Sequence, residues 1–308
     1  LNAAADAGYV NQRFLTTHQT KQLFYGAVAS EALVRVAEAQ LKRAQQQLQI
    51  SVQKLRAGSA TRSDSLRSTV EFGNARIALL RTQANLATAQ ADLGRQIGVE
   101  GLVRAVFDST LPPMPDTANL RRTALSTSPA VEQAEARASA ARALVWSARA
   151  QYWPSVVVSY VNNRQGSENP SWPLFGNYPE TFQWRFGLSW PLLNGFNREA
   201  NQVSASVARD VSVAGAAETK RSINALVTAQ LAVLATAFQQ INIADENLAA
   251  AQEDLRVQSE RYRVGAATIL DMLTSQAALT EAEVNVIQTR FDYLIARSQL
   301  EATVGRTL

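Results

Sequence analysis

The sequence predicts a mainly α protein built on long antiparallel helical hairpins of coiled-coil type, with one β-hairpin set between them. Three observations carry this. Residues 195–264 contain no proline, so one helix can run through them for roughly 100 Å at ~1.5 Å per residue. Two segments superimpose without a gap at a shift of 207 residues: KLRAGSATRSDSLRS (54–68) falls on RYRVGAATILDMLTS (261–275). And TFQWRFGLSW (181–190) places Phe182, Trp184, Phe186, Leu188 and Trp190 on one side of an extended chain, with Thr181, Gln183, Arg185, Gly187 and Ser189 on the other. That period of two marks a strand.

Composition agrees. In 308 residues there are only 9 prolines and 14 glycines, so helix should exceed the usual third of a chain. No cysteine is present, which excludes disulfides, thiolate metal sites and a cysteine nucleophile. The single histidine, His18, removes histidine metal clusters and Ser-His-Asp catalysis, and reads as a surface residue near a helix start. The net charge of +4 is scattered rather than gathered on one face, so nucleic acid is not an expected partner. No catalytic, cofactor or metal site is expected, nor an enzyme.

The first helical hairpin occupies residues 1–98, with its tip at 58–61. Ala27, Ser30, Val34, Ala37, Leu41, Ala44, Leu48, Ser51 and Leu55 recur at alternating steps of three and four, a heptad seam. Gly58 sits where the helix must stop, because glycine tolerates positive φ. Thr61 and Asp64 have the spacing of an N-cap and its acidic third residue. A seam through Leu66, Val70, Gly73, Ile77, Leu80 and Ala84 continues the returning helix.

Residues 99–150 are a linker rich in proline (LPPMPD, 111–116) and a helix from about Ala118 to Ala150. Residues 151–193 are the β-hairpin: Pro154 ends the helix and starts a strand, residues 164–180 form a long loop, and 181–190 return. Residues 194–308 are the second helical hairpin, with its tip at 265–268. Its seams are Leu234, Ala237, Ile241, Ala244, Leu248, Ala251, Leu255, Gln258 and Tyr262, then Leu273, Ala277, Thr280, Val284, Ile287 and Phe291. The uncharged stretch Ser222–Ala244 reads as a helix buried on most sides by others; a membrane helix is the alternative. Alternating large and small seam residues predict close helix pairing.

Two strands alone do not make a stable sheet. About ten residues tilted by about 40° span a bilayer's hydrocarbon core, and alternation with aromatics near both ends marks outer-membrane barrel strands. A soluble sheet edge packed under helices has the same pattern.

The duplicated G-x-x-T-x-x-D turn, the passage SPAVEQAEARASAARALVWSARAQYWPSVVVSY, the passage FGLSWPLLNGFNREA and the repeat spacing together resemble the TolC-like outer-membrane efflux factors over nearly the whole chain. In that family three protomers each give four strands to a 12-stranded barrel and their long helices to a periplasmic tunnel. The resemblance implies an outer-membrane homotrimer, passively conducting cargo for a tripartite efflux or type I secretion system, with a periplasmic adaptor protein, an inner-membrane pump and outer-membrane lipid as partners. It makes Phe182, Trp184, Phe186, Leu188 and Trp190 lipid-facing. It places Asp271, Thr274, Asp64 and Tyr262 at the pore gate, and Ala57, Gly58, Ser59, Thr61, Val264, Gly265, Ala266 and Thr268 at the adaptor-docking tips.

Helix capping is the other role of the two aspartates, and turn geometry that of the glycines. The sequence departs from the family at Ala267, where an arginine is usual, and at Thr274, where a second ring aspartate is usual, so one ion-pair lock should be missing. Only one strand pair is visible. By the repeat offset its partner falls ahead of Leu1, so roughly 90 residues carrying a first helix and strand pair are expected to precede this sequence. A soluble coiled-coil adaptor or structural protein without a pore is the competing class, and the outward aromatic ribbon is what separates the two.

Overall fold

A glycine or proline stands at almost every place where the backbone changes direction. The computed structural model describes residues 2–108, 110–164 and 180–308. Its elements are α1 (Asn2–Arg56), α2 (Arg62–Ile97), α3 (Thr117–Thr127), α4 (Pro129–Ala150), β1 (Ser155–Arg164), β2 (Glu180–Ser189), α5 (Asn197–Arg263) and α6 (Ile269–Val304). The fold is mainly α with one β-hairpin. The loop expected between the strands falls on residues 165–179, outside those described.

The chain forms two compact units, one of residues Leu1–Ala4 and Ala134–Glu218, the other of Ala5–Gln133 and Thr219–Leu308. In the second, α1 with α2 and the distal part of α5 with α6 are the two helical hairpins. Its apolar core joins Leu120 and Ala124 of α3, Ile223, Val227, Leu234 and Ile241 of α5, and Tyr293, Leu300 and Val304 of α6. Tyr25, Phe107 and Phe291 pack against it, Tyr25 and Phe107 edge to face at 5.8 Å. The proline-rich linker is tied to α6 by Tyr293, whose hydroxyl donates to the Pro112 carbonyl at 3.0 Å. Gly305 ends α6 at φ 79°, and a Cβ there would lie 2.6 Å from both Pro129 Cδ and the Thr127 carbonyl oxygen. Any side chain would force the end of α6 away from the α3–α4 junction.

That junction corrects the expectation of one helix from Ala118 to Ala150. Pro129 has no N–H and disfavours helical backbone at the residue before it, so the chain breaks at Ser128. The break stays hydrogen-bonded, since the Ser128 N–H donates to Ala124 and its carbonyl accepts from Glu132, both at 3.0 Å.

The seams fare unequally. On α1, Ala27, Ala37, Ala44 and Ser51 are buried, and on α5 Leu234, Ala237, Ile241 and Ala244 are. On α2 the expected stripe is wrong for a single chain: Leu66, Val70, Ile77 and Leu80 are exposed, whereas Ser68, Ala75 and Leu93 are buried. On α6 the buried stripe runs through Ile269, Met272, Leu279 and Val286, one position before the expected residues. Both helices carry apolar residues on adjacent stripes, and periodicity alone does not say which stripe meets the rest of the chain. Helix pairing is close where small residues meet: Ser51 Oγ of α1 and Ser68 Oγ of α2 are 2.6 Å apart, both buried.

Two further corrections concern single stretches. Ser222–Ala244 is buried on one side, through Ile223, Val227, Leu234, Ala237, Ile241 and Ala244, while Leu226, Val233 and Ile243 are exposed. His18 lies well inside α1, half-buried, with Nδ1 3.1 Å from Ser298 Oγ, and burial together with nearby Lys21 lowers its pKa.

In the other unit, β1 and β2 pair antiparallel from Ser155↔Ser189 to Arg164↔Glu180. Val156, Val158 and Tyr160 thereby stand across from Leu188, Phe186 and Trp184 on one face. Tyr160 and Trp184 rings meet at 4.9 Å and Trp184 stacks on Phe186 at 6.4 Å.

Candidate functional site

Each tip is built by the same local chemistry. At the end of α1, Gly58 adopts φ 72° and its N–H reaches the Leu55 carbonyl at 3.1 Å, while the Ser59 N–H reaches Lys54 at 2.9 Å. At the end of α5, Gly265 adopts φ 80°, with Gly265 N–H to Tyr262 at 3.2 Å and Ala266 N–H to Arg261 at 2.7 Å. Both are the paired bonds that close a helix through a left-handed residue. Re-entry is also duplicated. Thr61 and Thr268 are N-caps in extended backbone, each locked to its third residue by a reciprocal capping box. The Thr61 N–H and hydroxyl donate to Asp64 Oδ2 at 2.9 and 2.8 Å, and those of Thr268 to Asp271 Oδ2 at the same distances.

These bonds are the main reason both carboxyls are held below the usual carboxylate range: the donated backbone N–H comes first and the threonine hydroxyl second. Asp64 and Asp271 are therefore fixed anions at the two turns. Thr274, also exposed, has its hydroxyl on its own helix, donating to the Leu270 carbonyl at 2.9 Å. Ala57, Gly58, Ser59 and Thr61, and Val264, Gly265, Ala266 and Thr268, are all exposed. Nothing among the described residues covers either turn.

The two tips are neighbours. Lys54, in the last turn of α1, donates through Nζ to the Tyr262 carbonyl in the last turn of α5, and its ammonium stands 4.0 Å from the centre of the Tyr262 ring. A cation over an aromatic face is attracted by the ring's quadrupole. Tyr262 itself is buried, and its hydroxyl has no partner among the described residues. The sequence singles out Tyr262 and gives no sign that Lys54 meets it. In the repeat Lys54 aligns with Arg261, so a cation at this place in both halves is visible in the sequence. Arg261 instead bonds its own turn, at the Ala266 carbonyl at 3.3 Å. Which cation crosses to the other repeat is a tertiary outcome.

The aromatic ribbon is uncovered. Phe186 and Leu188 are 76% and 74% exposed, and Phe182, Trp184 and Trp190 are more than half exposed. Trp190 lies one residue beyond β2, its indole N–H donating to the Tyr152 carbonyl at 3.2 Å. Among the described residues no cluster of His, Cys, Asp or Glu could hold a metal ion.

Comparison with known proteins agrees with this geometry. The chain is 24% identical over 295 residues to the probable efflux pump outer membrane protein TtgC of Pseudomonas putida, covering 92% of this chain and 58% of that one. It is 27% identical over 291 residues to the pyoverdine export outer membrane protein OpmQ of Pseudomonas aeruginosa, covering 88% and 56%. The chain thus spans less than two thirds of these relatives. Its fold is shared with a crystal structure of a membrane protein from Pseudomonas aeruginosa, with a TM-score of 0.82 at 19% identity over 98% of this chain and 71% of that one. It is shared too with the Campylobacter jejuni CmeC outer membrane channel, with a TM-score of 0.78 at 15% identity over 98% and 65%. The family model described as outer membrane efflux protein matches residues 120–306. With more than half of its length inside that match, the chain belongs to the outer membrane efflux protein family.

Proposed function

We propose that this chain is a protomer of a trimeric outer-membrane conduit that carries cargo passively across periplasm and outer membrane for an inner-membrane pump, contacted at its tips by a periplasmic adaptor. The observation that carries the reading is the uncovered β-hairpin, whose aromatic face has no counterpart among the described residues of its own chain. A soluble coiled-coil adaptor has no use for such a face, whereas a barrel strand pair turns it to lipid. Efflux is the direction of transport supported by the name of the TtgC relative, and export of a compound such as pyoverdine by that of the OpmQ relative.

Assembly into a trimer is supported by the exposed stripe of Leu66, Val70, Ile77 and Leu80 on α2, which has the spacing of a coiled-coil seam without a partner. In this reading the 1–98 and 194–308 hairpins are tunnel walls, 99–150 is the linker region and 151–193 the membrane hairpin. The conduit performs no bond chemistry. Three copies of Asp271 near an axis, fixed as anions, would repel one another and draw cations into the constriction. Asp64 and Thr274 contribute a charge and a neutral hydroxyl to the same end. In place of the lock expected to be missing at Ala267, Lys54 on Tyr262 would serve as a clamp between the two repeats of one protomer.

The full-length protein in planar bilayers tests this. Asp271→Ala should relax cation preference or widen conductance. Unchanged conductance and selectivity would remove Asp271 from the gate, and protein that stays monodisperse without detergent would remove the barrel.

A further inference from the structure

Well away from both tips, α5 and α6 leave between them a groove of about 520 Å³. Val233, Ala237, Ile295 and Ala296 give it apolar walls, and Asp292 is the single charged side chain in its lining. That aspartate has no partner among the described residues, neither a hydrogen bond nor an ion pair. Its neighbours one turn away on α6 are Gln288, Thr289, Ile295 and Ala296, so no cation reaches it along its own helix. The nearest cations in sequence are committed elsewhere, Arg290 to Asp245 at 3.1 Å and Arg297 to the Pro113 carbonyl at 2.7 Å. Solvent reaches Asp292, yet partial burial holds its carboxyl above the usual carboxylate range, as expected of an anion beside apolar walls without a counter-charge. Nothing in the helix calls for the charge. Asp292 lies well inside α6 and caps neither end, and at the 207-residue offset the matching place on α2 holds neutral Asn85.

We propose that the α5–α6 groove is a binding site for small lipophilic ammonium ions, with the cation against Asp292 and the apolar body along Val233 and Ile295. Charge and size select this occupant. An anion would meet an unpaired carboxylate. A neutral apolar body would strip that carboxylate of water and give nothing back, which is costly. A bare metal ion would find one acidic ligand, since no cluster of His, Cys, Asp or Glu able to hold one occurs among the described residues. A monocation with an apolar tail satisfies both halves of the groove: it supplies the missing counter-charge and covers Val233, which is 58% exposed. The volume falls within the range of sites that hold small molecules. All lining residues belong to one compact unit of one chain, so the site does not depend on the conduit reading.

Three probes that share one body and differ in charge test this: 2-phenylethylammonium, 2-phenylethanol and 3-phenylpropionate. Each would be titrated into the full-length protein, with binding read by saturation-transfer NMR and assembly by light scattering. The ammonium should bind about fivefold or more tighter than the alcohol or the carboxylate, the worth of one partly screened ion pair. Asp292→Asn gives α6 the residue that α2 carries at the matching place, so fold and assembly should persist while ammonium affinity falls to that of the alcohol. Asp292→Glu should retain the preference for the cation. Thr236, exposed in the groove lining, offers a check that leaves the charge alone: Thr236→Phe fills the groove and should abolish ammonium binding. Equal affinity for ammonium and alcohol would overturn the proposal, as would unchanged ammonium affinity in Asp292→Asn or Thr236→Phe. Folded, assembled wild type that binds no ammonium would overturn it as well, in favour of a groove covered by a neighbouring copy.

Discussion

Helices α2 and α6 are the same element twice and yet do different work. Each is 36 residues long, starts from a threonine–aspartate capping box and ends at a left-handed glycine, Gly98 or Gly305. The positions coincide at the 207-residue offset. Their burial does not: α2 hides Ser68, Ala75, Leu93 and Gly94, whereas α6 hides thirteen residues, among them Tyr293, Leu294 and Leu300. Duplication preserved the backbone signals, which are local, and released the side-chain stripes, which answer to neighbours. α6 is the structural centre of its unit. On α2 an apolar stripe of Leu66, Val70, Ile77 and Leu80 is left uncovered by the described residues.

The comparison can be broken most severely at the centre. Tyr293→Ala should lower stability by about 3–5 kcal/mol in chemical unfolding of the detergent-solubilised protein. Leu86→Ala, at the matching but half-buried position of α2, should lower it by about a third of that. Equal losses would mean that the two helices are equally central. Leu80→Glu should instead leave the helical signal and unfolding of the protomer nearly unchanged and abolish the trimer in light scattering; an intact trimer would deny the stripe its partner.

At the tips the two repeats differ in what one cation does, Lys54 crossing to Tyr262 and Arg261 bonding its own turn. Lys54→Met should loosen their junction, raising the ratio of open to closed channel by about 5- to 30-fold if the partly buried contact with Tyr262 contributes about 1–2 kcal/mol. Lys54→Arg should restore it, and single-channel open probability is the readout. The smallest effect tests the similarity itself. Thr61→Ala and Thr268→Ala should each destabilise by about 1 kcal/mol and by the same amount, because the caps are geometrically equal.

Both caps also have a defined pH window. The folded carboxyls titrate lower than unfolded ones, so their contribution is present above the ordinary carboxylate range, about pH 4, and disappears as pH falls through the lower folded values. Unfolding of wild type and of the cap variants should therefore differ most at neutral pH, and the gap should narrow on acidification to the part due to the Asp64 and Asp271 N–H bonds to the threonine hydroxyls, which do not titrate. A gap that is undiminished in acid would assign the effect to something other than the ionised carboxylates.

Much of this molecule was legible because its signals are short-range. Gly58, Gly265, Thr61, Thr268, Asp64 and Asp271 act within a turn of their own backbone, and the alternation of 181–190 needs no partner to be read. The seams of α1 and α5 were legible because each carries one dominant stripe. The failures have two causes, one local and one tertiary. At Ser128, Pro129 was read as part of a helix that it breaks, although that signal too was local. On α2 and α6 two apolar stripes compete, and only the packing of α3, α5 and the linker decides between them. Lys54 was invisible as a clamp because its partner lies in the other repeat.

The residues by themselves determined where helices start and stop, that one unit occurs twice, and that two strands carry an aromatic face, since each depends on bonds and periodicities within a few residues. The tertiary structure alone decided which stripe of a duplicated helix is core and which cation bridges the repeats. Those outcomes depend on which surfaces distant segments present to each other, and no short window of sequence contains that information.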